Sequence, residues 1–170
     1  MSFLRLLGIG GPREPDEPEA LRQIADRLEA LPRDEAVRLA AFACVLVRVA
    51  HADLRIDEAE SAAMQRIVAE EGGLDPAAAG LVVEIAKSRA RRSGGTDDYL
   101  VTREYRRLSS REERAALLGC LFAVAAADDT ISDAESQQIL AIGEELGFTR
   151  AEVLSLRAAW REKISVLRGR

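Results

Sequence analysis

At 170 residues, 48% apolar and only 4% aromatic, the chain is long enough to bury one sizeable core without metals or disulfides, and its Ala-, Leu-, Val- and Ile-rich composition favours helices over pleated sheets. A formal net charge of -5 does not supply the basic face that phosphate-backbone binding requires, so nucleic acid is not expected as a partner. The longest uncharged runs, Leu39 to Val47 and Ala115 to Ala127, are shorter than the roughly 20 residues that cross a bilayer and read as core helices of a soluble protein.

The first residues carry Phe3, Leu4, Leu6, Leu7 and Ile9 around a lone Arg5, without the apolar stretch and cleavage pattern of a signal peptide, so a cytoplasmic location is expected. This segment is too short to anchor stably and is expected to make at most a weak contact with a membrane or a partner. Gly10 to Pro18 holds two glycines and three prolines and reads as a linker, which sets residues 1–17 apart from a folded body over 18–170.

Within that body the apolar spacing and the punctuation predict eight helices. The first runs from Glu19 to Leu31 and stops at Pro32. The second, Asp34 to His51, is apolar on nearly all sides and so belongs at the centre. The third has Asp57 as N-cap and Glu60 three residues on, and ends at Gly72 and Gly73. The fourth opens at the cap and proline pair Asp75-Pro76 and continues to Arg91. After Ser93, Gly94 and Gly95 the order begins again: Asp97 to Leu108, Ser110 to Ala127, Ser132 to Leu146 and Thr149 to Leu167. Three of these starts carry capping boxes, Ser110 with Glu113, Ser132 with Glu135 and Thr149 with Glu152. The expected fold class is therefore all-α, a bundle of eight helices built as a tandem duplication of a four-helix unit, with repeats over about 18–92 and 97–168.

A shift of 75 residues lays Ala52, Asp53, Ile56, Ala59, Glu60 and Ile67 onto Ala127, Asp128, Ile131, Ala134, Glu135 and Ile142, and Gly72 onto Gly147, with Gly73 as one extra residue in the first copy. Each copy thus holds an acidic loop, Ala-Asp-x-x-Ile-x-x-x-Glu. Glu60 and Glu135 are explained as first-turn carboxylates that cap backbone N–H groups and complement the helix dipole, for about 0.3–1 kcal/mol. Asp53 and Asp128 follow a helix C-terminus, where the dipole opposes an anion. Loop N–H groups could offset that, or a cation shared with Glu60 or Glu135 could. The loop lacks the glycine and the length of an EF-hand, and oxygen-only ligation would favour calcium or magnesium. Asp53, Glu60, Asp128 and Glu135 are the candidate metal residues. His51, whose counterpart is Ala126, is incidental.

At this spacing the chain resembles the TerB-like family, named for tellurite-resistance proteins and found also in membrane-anchored DnaJ-like co-chaperones. The match is carried by Ala52, Asp53, Ile56 and Glu60 and again by Ala127, Asp128, Ile131 and Glu135, and it covers Asp34 to Leu167. The resemblance implies an all-helical bundle, a bacterial cytoplasmic setting and a non-enzymatic role in stress or metal-ion response, with metal at the acidic residues and a protein partner. The alternative is a protein-docking module whose carboxylates are only caps.

Other chemistries lack their residues. One histidine, with Cys44 and Cys120 on apolar helices, gives neither a nucleophile-base pair nor a zinc site, and the two thiols read as buried small hydrophobes rather than a disulfide. Gly8 to Gly11 has no phosphate-loop context. The basic run Lys87, Arg89, Arg91 and Arg92, with Arg103, Arg106 and Arg107, reads as solvated helix ends.

Overall fold

A computed structural model describes residues 19–50, 58–90, 98–126 and 133–168. Among these residues the chain is all helical, with no strand: α1 Glu19–Glu29, α2 Arg33–Ala50, α3 Glu58–Gly72, α4 Pro76–Ala90, α5 Asp98–Leu108, α6 Arg111–Ala125, α7 Asp133–Glu145 and α8 Arg150–Arg168. The N-terminal segment Phe3 to Ile9, His51 and the Ser93 to Gly95 break lie outside the described residues.

The local signals act at the boundaries where they are written. The Asp75 carboxylate accepts the Ala78 N–H at 2.8 Å, and Pro76 opens α4. Ser110 and Glu113 form a reciprocal capping box, each backbone N–H donating to the other's side chain at 3.1 Å. Thr149 Oγ1 accepts the Glu152 N–H at 3.2 Å, but its hydroxyl donates to the Glu152 carboxylate, which also pairs with Arg111 of α6. At the end of α7 the Phe148 N–H donates to the Gly143 carbonyl and the Gly147 N–H to that of Glu144, at 2.9 and 3.0 Å, a Schellman closure with Gly147 at φ 92°.

In the first half the left-handed residue is Gly73, at φ 68°, not Gly72. Gly72 is still helical, and a Cβ there would stand 3.0 Å from Phe42 Cζ. Gly73 is therefore the structural counterpart of Gly147. The extra residue of the first copy falls upstream of the turn, inside α3, instead of at Gly73.

α2 is the centre of the molecule. Every residue from Leu39 to Leu46 is buried, more than two turns of helix with no solvent face. It is surrounded by α1, α4, α5, α6 and α7. Ala40, Ala41 and Ala43 are fully buried and let the neighbouring backbones approach. α3 packs against α4 and α6, and α8 against α6 and α7. Because α2 packs on α5 and α3 on α6, helices of the first half and of the second share one hydrophobic core. Cys44 and Cys120 are free thiols within it.

Two outcomes follow from this packing. A Cβ at Gly143 would overlap Val153 Cγ2, so Gly143→Ala should lower stability in urea by about 1–2 kcal/mol despite the better helix propensity of alanine. Burial, and secondarily Glu71, pushes the Cys120 thiol up to about 12. Because the folded value is raised, the stabilisation it carries is complete below the unfolded thiol range near pH 8.5 and is lost as pH rises toward about 12. Cys120→Ala should flatten the alkaline arm of a denaturation midpoint measured against pH.

Candidate functional site

The acidic motifs fall between described helices. α2 is described to Ala50 and α3 from Glu58, and α6 runs to Ala125 with α7 described from Asp133. Glu60 and Glu135 thus fall in first helical turns, where the capping pattern places them, and the Glu135 side chain is half-buried and engaged. Asp53 and Asp128, with Ile56 and Ile131, lie outside the described residues. Among the described residues no three carboxylate, imidazole or thiolate groups come together as a metal site.

The last turn of α2 carries one cation, Arg48, and it is already committed. Its guanidinium grips Glu145 at the end of α7 through both oxygens, at 2.6 and 3.2 Å, and donates to Thr102 Oγ1 of α5 at 2.9 Å. The two side chains are only 10% and 19% exposed, and Thr102 is fully buried. Physically the pair resolves two helix ends at once: a cation suits the C-terminus of α2, and it neutralises an anion placed against the dipole of α7. Sequence reading missed it, although a single arginine in the apolar run that ends α2 was its signal. The last turn of α6 has no basic residue at all.

This contact also relates the helix ends. α2 ends beside the C-terminal end of α7, whereas the second loop leads into the N-terminal end of the same helix, about 20 Å away at 1.5 Å per residue.

The first turns of α3 and α7 differ in what faces them. Ser136 Oγ in α7 accepts from Arg157 Nη1 of α8 at 3.0 Å. Arg157 Nε and Trp160 Nε1 are buried with no acceptor, and the Trp160 ring lies against Phe122 with centroids 6.4 Å apart. In the first half, Ser61 occupies the place of Ser136, and its Oγ is buried without a partner. Counting back from the Gly147 turn to the Gly73 turn, the places of Arg157 and Trp160 belong to Val83 and Ala86, both buried. The repeat alignment held this difference, but only burial gives it meaning.

Elsewhere a shallow groove of about 560 Å³ runs between α6 and α8, floored by Ala115, Phe148 and Leu156 and crossed by the Arg111–Glu152 pair, with Arg111 stacked 4.5 Å above the Phe148 ring. Of the basic run, Lys87 pairs with Glu84 and Arg107 with Glu104, as solvated helix ends do. No described helix is long and apolar enough to cross a membrane.

The Arg48–Glu145 pair gives a direct expectation. Arg48→Met leaves a carboxylate buried without its cation and should cost about 3–5 kcal/mol in chemical denaturation, whereas Arg48→Met with Glu145→Leu should recover most of that loss.

Neither curated proteins nor solved structures include a match to the chain. The family described as tellurite resistance protein TerB matches over residues 38–158, from the middle of α2 to the middle of α8, both acidic motifs included. With the match spanning most of an all-helical bundle, the chain belongs to the TerB family.

Proposed function

We propose that this TerB-family module is a non-enzymatic, cytoplasmic binding protein that holds a divalent cation, calcium or magnesium, through the carboxylates of its acidic loops: Asp53, Glu60, Asp128 and Glu135. The observation that carries the reading is the absence of a basic residue from the last turn of α6, the helix that precedes Asp128. In the sequence Asp128 follows the C-terminal end of α6, whose last turn has no basic residue, and Asp53 follows that of α2, whose one last-turn cation, Arg48, is shared with Glu145 and Thr102. An anion so placed calls for a positive charge from outside those helices. Carboxylate and hydroxyl oxygens without thiolates or imidazoles suit a hard ion that keeps part of its water shell.

In this reading the protein contributes to a stress or metal-ion response by presenting the ion-loaded loops to a protein partner. The test is calorimetric titration of calcium, magnesium, manganese and zinc into the full chain and into Asp53→Asn/Asp128→Asn. Binding heat and a rise in melting temperature with calcium or magnesium, both lost in the double variant, are the expected result. A wild-type chain that gives neither leaves the carboxylates as caps.

A further inference from the structure

α8 has one face in the core and one in solvent. Val153, Leu156, Arg157 and Trp160, at three- and four-residue spacing, turn inward: Val153 packs against Gly143 of α7, Arg157 reaches Ser136, and the Trp160 ring lies on Phe122 of α6. In a chain of which 31% is charged, the outward face of such a helix is expected to carry charge along its middle. Its middle is instead Ala151, Leu154, Ser155 and Ala158, all exposed, with Leu154 42% open to solvent. Ala151 and Ala158 stand seven residues apart, the spacing of a helix-pairing seam, and their small side chains permit close approach.

The two edges of this face are unlike. At about 100° per residue, Arg150, Leu154 and Arg161 fall along one edge. Along the other, Ser155 and Glu162 run beside the groove between α6 and α8, and the exposed Glu112 stands on the α6 side of that groove. One edge therefore carries a protruding leucine flanked by cations, and the other an apolar groove flanked by carboxylates. Arg150, Arg161, Glu112 and Glu162 are all exposed, and none forms an ion pair among the described residues.

A helix paired with its own copy in antiparallel brings like edges together, whereas a parallel pair brings unlike edges together. Antiparallel pairing here would set arginine on arginine and groove on groove. Parallel pairing about a two-fold axis keeps every residue at its own height and matches the edges. Leu154 stands level with the groove residues Ala151 to Leu156, and Arg161 level with Glu162. Arg150 stands level with Glu112, because the Arg111–Glu152 contact holds the first turns of α6 and α8 side by side.

We infer that a second copy of this chain docks on this face. α8 pairs with α8 in parallel along Ala151 and Ala158, Leu154 of each copy seats in the α6–α8 groove of the other, and Arg150 and Arg161 face Glu112 and Glu162 across the seam. The contact is one helix wide and about 28 Å long at 1.5 Å per residue, so the dimer is a reversible one.

Sedimentation velocity of the full chain over a concentration series tests this. Wild type should pass from monomer to dimer as concentration rises. Leu154→Glu should raise the dissociation constant by more than about tenfold. Arg161→Glu and Glu162→Arg each set like charges together at two symmetric places and should each raise it by about tenfold, while the two combined should return it to the wild-type value. Ala151→Cys and Ala158→Cys, made separately, should each give a disulfide-linked dimer under mild oxidation, since a parallel seam brings both positions beside their own copies and an antiparallel one brings at most one. The native thiols are buried and do not compete. All these positions are exposed, so the melting temperature of each variant should match wild type at monomeric dilution. A monomer at every concentration, a dimer indifferent to Leu154→Glu, or no recovery in the charge swap overturns the inference. A dimer in which only one of the two cysteine variants crosslinks overturns the parallel arrangement on which it rests.

Discussion

A helix buried on every side has no water at its flanks and can settle its polar ends only with what its neighbours bring. α2 is such a helix, and the consequences run through the molecule. Its alanines allow five other helices to close around it, and its last turn must place an arginine where solvent is nearly excluded. Glu145 and Thr102 come from α7 and α5, so the solution to one helix end is assembled from the other half of the chain. Without that contact, Arg48 and Glu145 would each lose an ion-pair partner from the other half of the chain while almost wholly out of water.

How much of this was legible in the sequence depends on whether the cause is local. Helix positions were legible because apolar spacing, Asp75-Pro76 and the Ser110 and Thr149 caps act within a turn of where they are written. The central place of α2 was legible too, since a run apolar on all sides has nowhere else to go. The Gly72 and Gly73 pair was misassigned, because two adjacent glycines look alike until one adopts positive φ and the other is pressed onto Phe42. The Arg48–Glu145 contact joins residues 97 positions apart, and no periodicity links them. For the candidate site, Glu60 and Glu135 fall in first turns as expected, while Arg157, Trp160 and Ser61 drew no notice, since an arginine, a tryptophan and a serine on amphipathic helices are ordinary until burial leaves a single atom of each, Nε, Nε1 and Oγ, without a partner.

The two halves carry matching sequence positions in different surroundings. The two serines occupy corresponding places, and what changed is the helix opposite: small apolar residues on α4, a guanidinium and an indole on α8. Such a difference alters local electrostatics while both halves remain helical.

The residue that α3 has gained relative to α7 carries a different kind of consequence. Each residue advances an α-helix by about 100° of rotation. One insertion therefore turns everything after it to a new azimuth, while the first turn keeps its old one. α3 meets α4 and α6, whereas α7 meets α2, α5, α6 and α8. A helix indexed in this way acts as a key cut for its own position: the halves carry corresponding motifs but are not interchangeable parts.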